Sequence, residues 1–91
     1  MRYFCRRASK TGLWIFGEFL GEGPDKPYLF RARTYSTTKP DGAEVNEYKQ
    51  EALAIPEEEF RFAAENVWTP SSKVIRAHER YVRGEKEWPW R

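Results

Sequence analysis

Cys5 and His78 are the only residues from which a nucleophile and its general base can be assembled, since the chain holds one cysteine and one histidine. A strand cysteine and a histidine on an apolar helical face meet only through the core. A catalytic thiolate also needs an exposed, electropositive setting and a group that orients the imidazole. A buried cysteine behaves as a small hydrophobe, and that is the expectation for Cys5. His78 reads as half-buried with one nitrogen satisfied. One Cys and one His are also too few for the usual thiolate and imidazole metal sites. Glu57, Glu58 and Glu59 form the densest carboxylate run, yet consecutive helical positions diverge by about 100° and do not converge on a cation or a substrate. Gly21-Glu22-Gly23 runs into Pro24 and Asp25 rather than a helix start with a lysine, so it is no phosphate loop. The expectation is a non-enzymatic chain with no catalytic residue, no metal and no cofactor.

What remains is binding chemistry. Guanidinium groups interleaved with flat rings suit single-stranded nucleic acid, with Arg on phosphates and rings on bases. The same residue types dominate protein interface hot spots. Arg6, Trp14, Phe16, Arg31, Arg33 and Tyr35 are the candidate partner-binding residues on that basis, provided that they share one sheet face. Lys73, Arg76, Arg80 and Arg83 recur at intervals of three and four and make a secondary candidate, a basic stripe along one helix flank. The commoner reading of such a stripe is a solvated flank. The plainer reading of the aromatic face is a surface covered by Trp88-Pro89-Trp90.

The elements that must position these groups follow from turn chemistry and periodicity. Pro40-Asp41-Gly42 supplies a residue preset to φ of about −65°, one tolerant of the bridge region and one suited to φ > 0. It joins two strand-like arms spanning 28 to 55 as a three-residue hairpin loop with a bulge at Gly42. With Lys39 opposite Ala43, Tyr28, Phe30 and Thr34 face Ala54, Ala52 and Tyr48 on a core side, and Arg31, Arg33 and Tyr35 face Glu51, Lys49 and Glu47 on a charged side. An earlier hairpin, 2 to 8 with 13 to 20, turns at Ser9-Lys10-Thr11-Gly12. With Ser9 opposite Leu13, Phe19 falls opposite Tyr3 and Phe16 opposite Arg6, and neither face is cleanly apolar. If Tyr3, Phe19, Phe30 and Tyr48 face the helices, the other side shows Phe4 and the six candidates.

Beyond Ile55 the pattern turns helical. Pro56 and three glutamates suit a helix N-terminus, and Phe60, Ala63, Ala64 and Val67 recur at helical spacing up to about Asn66. Phe62 lies off that stripe. Thr69 as N-cap and Pro70 start a second helix, 70 to 83, with Val74, Ala77, His78 and Tyr81 on one face, Ile75 and Val82 alongside, and Gly84 as its C′ residue.

Size and charge bound the answer. Ninety-one residues make one domain, 1–91, with 84–91 as a Trp-containing tail. A lone cysteine excludes a disulfide-framed secreted module. With no leader-like apolar run and no spanning segment, the expectation is a cytoplasmic protein with no membrane association. Lys and Arg outnumber acids eight to three in residues 1–40 and six to three after 70, but are outnumbered two to eight between. Basic and acidic regions therefore share one small surface, which argues against a uniformly acidic DNA mimic. The strand aromatics of RNA-recognition domains, the glycine loop of KH domains and zinc-module spacings are all missing.

The sequence thus predicts an α+β fold: a four-stranded antiparallel sheet from two consecutive hairpins, followed by two short helices packed on one face. It predicts an interaction module whose partner is a protein that it regulates or inhibits, as small accessory proteins of phages and mobile elements do. A nucleic-acid-binding domain using the same Arg and aromatic face is the alternative. Unprotected sheet edges also permit an edge-strand dimer.

Overall fold

The computed structural model describes residues 1–24, 27–85 and 90. Both hairpins turn where the sequence demands, but each closes in a register other than the expected one. In the first, β1 (Tyr3–Arg7) and β2 (Trp14–Glu22) set Arg7 opposite Trp14 and Cys5 opposite Phe16. The Ala8 N–H donates to Leu13 O at 2.8 Å and the Gly12 N–H to Ala8 O at 2.7 Å, which makes the loop one residue longer than expected. Successive strand side chains alternate, so that single residue exchanges the faces of β2 relative to β1. Trp14 and Phe16 join Tyr3 and Cys5 on one face, with Arg7 and Glu18 at its ends, and Phe4, Arg6, Ile15 and Gly17 share the other.

In the second hairpin, β3 (Leu29–Tyr35) and β4 (Ala43–Tyr48) set Thr34, not Lys39, opposite Ala43. The turn itself is as expected: Gly42 has φ +89° and its N–H donates to Lys39 O at 3.2 Å. The loop lengthens at Ser36, whose N–H and C=O each pair with Lys39 at 3.2 Å and whose hydroxyl meets Thr38 Oγ1 at 3.0 Å. Short polar side chains offer the backbone a local alternative to the ladder. The shift moves Glu47 from opposite Tyr35 to opposite Phe30, and so off the charged face.

The second arm does not continue to Ile55 as one strand. Lys49–Glu51 form a 3-10 turn, and β5 (Leu53–Ile55) pairs with β1 instead of β3. The sheet is therefore five-stranded and antiparallel, in the order β4-β3-β2-β1-β5, where four strands were expected. Lys, Gln and Glu are poor strand formers, which favours the break where it occurs.

This connection curls the sheet. The outer strands β4 and β5 are joined only by residues 49–52, a link of about 18 Å fully extended and less with a 3-10 turn in it. The edges of a flat five-stranded sheet stand about 19 Å apart. The sheet curls so that Arg6 on β1 bonds Glu47 on β4 at 2.8 Å across two intervening strands. Leu20 is the extra residue of a bulge between Phe19 and Gly21, where added twist bends the long strand β2. Inside the curl lies a small core of Phe4, Phe30 and Ala32, with Phe19 and Ala52 against it. Gly17 has no side chain there because the Phe4 ring lies over it: an added Cβ would stand 2.2 Å from Phe4 Cζ.

The second, larger core is on the outer face, where α1 (Glu57–Glu65) and α2 (Ser72–Val82) cover Tyr3, Cys5, Phe16, Leu53 and Ile55. α1 starts one residue later than expected, with Pro56 as its extended N-cap rather than its first helical residue, and Glu57 is bonded to Arg61 at 3.0 Å one turn on. The N-cap of α2 is Ser71 and not Thr69. Its Oγ accepts from the Val74 N–H at 3.2 Å and donates to Glu59 at 2.6 Å, so it caps one helix and ties it to the other. Between the helices Val67 and Trp68 take φ of 53° and 60°. That left-handed backbone throws Val67 outward and drives Trp68 into the core, where it stacks on Tyr35 at 4.5 Å and its Nε1 donates to Pro40 O.

Candidate functional site

The six candidate residues do not share an open face. Phe16 is fully buried under the helices, 6.0 Å from Trp68, and Tyr35 is stacked on that same indole. Arg6 points to the opposite face, inside the curl, where it offsets buried Glu47. Arg31 and Arg33 lie on the Tyr35 face beyond the helices. They share Glu44, at 3.5 and 3.8 Å, in exposed ion pairs. Trp14 is half-buried and meets His78 edge-on at 4.9 Å. The register differences described above are the physical reason for this dispersal.

The basic stripe divides. Lys73, Arg76 and Arg80 line a pocket of about 350 Å³ opposite Glu58 and Glu59 of α1. Arg80 and Arg83 both bond Glu85, at 3.2 and 3.1 Å, and the Arg80 bond first among these holds that carboxyl below its usual range. Trp88 and Pro89 of the tail lie outside the described residues. Trp90 packs on the outer core, and its Nε1 donates to Ala54 O at 3.2 Å.

The largest concave surface among the described pockets, about 730 Å³ and mostly apolar, lies between the β1–β2 hairpin and α2. Arg7, Ala8, Ser9 and Gly12 form one wall. His78, Glu79, Val82 and Arg83 form the other. The sequence placed the first hairpin apart from the second helix, which carries His78 and Arg83, and the fold brings the two together at this groove, with Trp14 against both Arg7 and His78. It missed Arg7, which the expected register left without a role.

Arg7 is held in place on two sides. Its Nε donates to Gly12 O at 2.9 Å, and its guanidinium lies over the Trp14 ring, 5.6 Å from the centroid. Gly12 beside it has φ +72°, a backbone conformation that residues with a side chain rarely adopt. Among the described residues no carboxylate is within ion-pair distance of Arg7 and no acceptor takes its terminal N–H groups. A planar guanidinium held over a ring, with its terminal N–H groups untaken among the described residues, is preorganised for an anionic oxygen pair. Burial, and then the charge of Arg7, lower the His78 pKa, with Glu79 acting the other way. His78 is therefore neutral at pH 7 and presents a ring rather than a charge. Val82, 69% exposed, gives the α2 wall apolar surface.

Cys5 is buried in β1, and burial pushes its thiol up to about 12. No hydrogen bond joins it to His78 among the described residues. The Tyr81 hydroxyl, raised in pKa chiefly by burial, donates to Gln50 O and fastens α2 to the 3-10 turn. Among the described residues no cluster of three or more His, Cys, Asp or Glu is placed to hold a metal ion, and no helix is long and apolar enough to cross a membrane. Comparison with known proteins returns no match: no family model fits the chain, and no curated protein or solved structure is significantly similar to it.

Proposed function

We propose that this chain is a non-enzymatic interaction module that binds a partner protein and regulates or inhibits it, in the manner of a small accessory protein. The observation that supports this reading is the hairpin–α2 groove, where Arg7, held over the Trp14 ring and with no ion pair among the described residues, shares the lining with exposed Val82. Arg and Trp carry disproportionate energy at protein interfaces where surrounding apolar groups exclude water. The nucleic-acid alternative draws on Arg31 and Arg33 with stacking rings, and the geometry favours it less. Glu44 lies between those two guanidinium groups, while the rings of Phe16 and Tyr35 are taken by Trp68.

The test compares wild-type and Val82→Asp chains as immobilised baits, with anisotropy of labelled single-stranded and duplex oligonucleotides at two salt concentrations as counter-screen. Val82 is exposed, so the variant should fold. A polypeptide retained by wild type and lost from Val82→Asp is the expected result. Equal retention by both baits, or oligonucleotide binding that falls steeply with salt, would overturn the reading.

A further inference from the structure

We infer that the docking segment of the partner carries an Asp or Glu side chain that pairs with Arg7, next to an apolar side chain that seats between the hairpin and Val82. The inference rests on the protein-binding reading above and adds the chemistry of what is bound. Its basis is charge and shape at the two walls. The pocket lined by Lys73 and Arg76 has its own carboxylates, Glu58 and Glu59, across from the cations. The groove has Glu79 on its facing wall, but among the described residues no carboxylate stands within ion-pair distance of Arg7 on the hairpin wall.

Arg7 is also the group whose freedom is already restricted, by Gly12 O at one edge and the Trp14 ring beneath. Little side-chain order remains to be imposed when a carboxylate arrives, which favours a bidentate pair there over one with an unrestrained surface lysine. The second wall sets the orientation. Glu79 repels a carboxylate placed against α2, and Arg83 on that wall already pairs with Glu85 at 3.1 Å, so the acidic side chain belongs on the hairpin side. His78 and Val82 leave the centre of the groove apolar. A segment acidic throughout would meet Glu79, and one purely apolar would leave Arg7 desolvated without a partner, at a cost.

The test is a synthetic peptide array probed with the labelled full-length chain. Each spot carries Leu or Phe beside Asp, Glu, Asn, Gln, Lys or phosphoserine. The acidic spots should bind about tenfold or more tightly than their amide isosteres, as expected for losing a charge-assisted pair. Arg7→Gln should abolish that preference. Glu79→Gln, an exposed change independent of Arg7 packing, should strengthen the acidic spots. Equal binding of acid and amide spots, no acidic binding above the amide controls, or an acid preference unchanged in Arg7→Gln would overturn the inference. So would a preference for phosphoserine, or displacement by a single-stranded oligonucleotide. The two ideas fail separately. Loss of a captured protein from Val82→Asp with no acid preference on the array keeps the protein-binding reading and removes this one. Equal capture by both baits removes the reading itself.

Discussion

Replacing Gly17 by Ala tests the curl of the sheet directly. The new Cβ would stand 2.2 Å from Phe4 Cζ and 2.3 Å from Cε1, whereas carbon atoms settle at about 3.5–4.0 Å. The ring would have to move by more than about 1 Å, yet Phe4 is fully buried and edge-on to Phe30 at 5.1 Å. Overpacking of a closed core costs about 1–3 kcal/mol, and the depth of this overlap places Gly17→Ala near the top, at about 3 kcal/mol. For a chain of this size that lowers Tm by roughly 12–24 °C. Urea unfolding followed by Trp fluorescence should show a lower midpoint with an unchanged slope. Phe4→Leu, on the order of 1–2 kcal/mol by itself, vacates the overlapping space. The double variant should therefore be more stable than the two single effects added together, by about 1 kcal/mol or more. A Gly17→Ala protein within about 0.5 kcal/mol of wild type, or strict additivity with Phe4→Leu, would refute the packing of Phe4 across β2.

Val67→Asn should stabilise by about 1 kcal/mol, because a β-branched residue in the left-handed region gives way to one that tolerates it. Val67 is 65% exposed and loses little burial; a lower urea midpoint would show that its side chain matters. Cys5 should react with a thiol-specific disulfide reagent near neutral pH only at the rate of unfolding, since its pKa is pushed up to about 12 by burial. Immediate labelling of native protein would contradict its placement. Burial and Arg7 disfavour the imidazolium of His78 in the fold, so the unfolded chain takes up that proton first on acidification. The stability contributed by the neutral ring is complete above the unfolded pKa of 6.5 and is lost as pH falls from there towards the lowered folded value. His78→Gln should flatten that fall in urea midpoints measured above the carboxylate range near about pH 4, and an unchanged pH profile would exclude His78 as its source. Arg31→Ala and Arg33→Ala should each change stability by no more than about 0.5 kcal/mol, since their pairs with Glu44 are exposed; a larger loss on urea unfolding would show that those pairs are structural.

Turn and helix signals were legible in the sequence because they depend on neighbouring residues alone. Gly42 has the positive φ that Pro40-Asp41-Gly42 calls for, and Pro56 with its three glutamates opens α1 where a positive dipole end receives them. Register was not legible, because it depends on how many residues the loop takes. At Ser36 two hydroxyl-bearing residues fold the chain back on Lys39 before the strand reaches the turn. On a sheet with one wet face, burial favours Lys39 opposite Ala43, because a slip of one residue turns Arg31 and Arg33 inward. In the curled sheet both faces hold a core, so the inward charge of Glu47 is tolerated once Arg6 reaches it. Trp68 was illegible for another reason. Its position follows from two consecutive left-handed residues without glycine, a conformation held by the tertiary bonds of the indole to Pro40 and its stacking on Tyr35.

The same geometry decides which arginine is available for function. Arg6 and Arg7 are adjacent in β1, so their side chains leave opposite faces of the sheet. The closing link between β4 and β5 makes the Arg6 face an interior, and Glu47 moves there to meet it. The extra residue in the first turn carries Trp14 to the other face, directly opposite Arg7, where the indole supports the guanidinium and Gly12 O fixes its edge. Had the hairpin closed with Ser9 opposite Leu13, Trp14 would have lain on the Arg6 face and Arg7 would have had no ring beneath it. The placement of Arg7 over Trp14 is thus a consequence of loop length. Composition supplies a list of Arg and aromatic residues, and register determines which of them meet solvent.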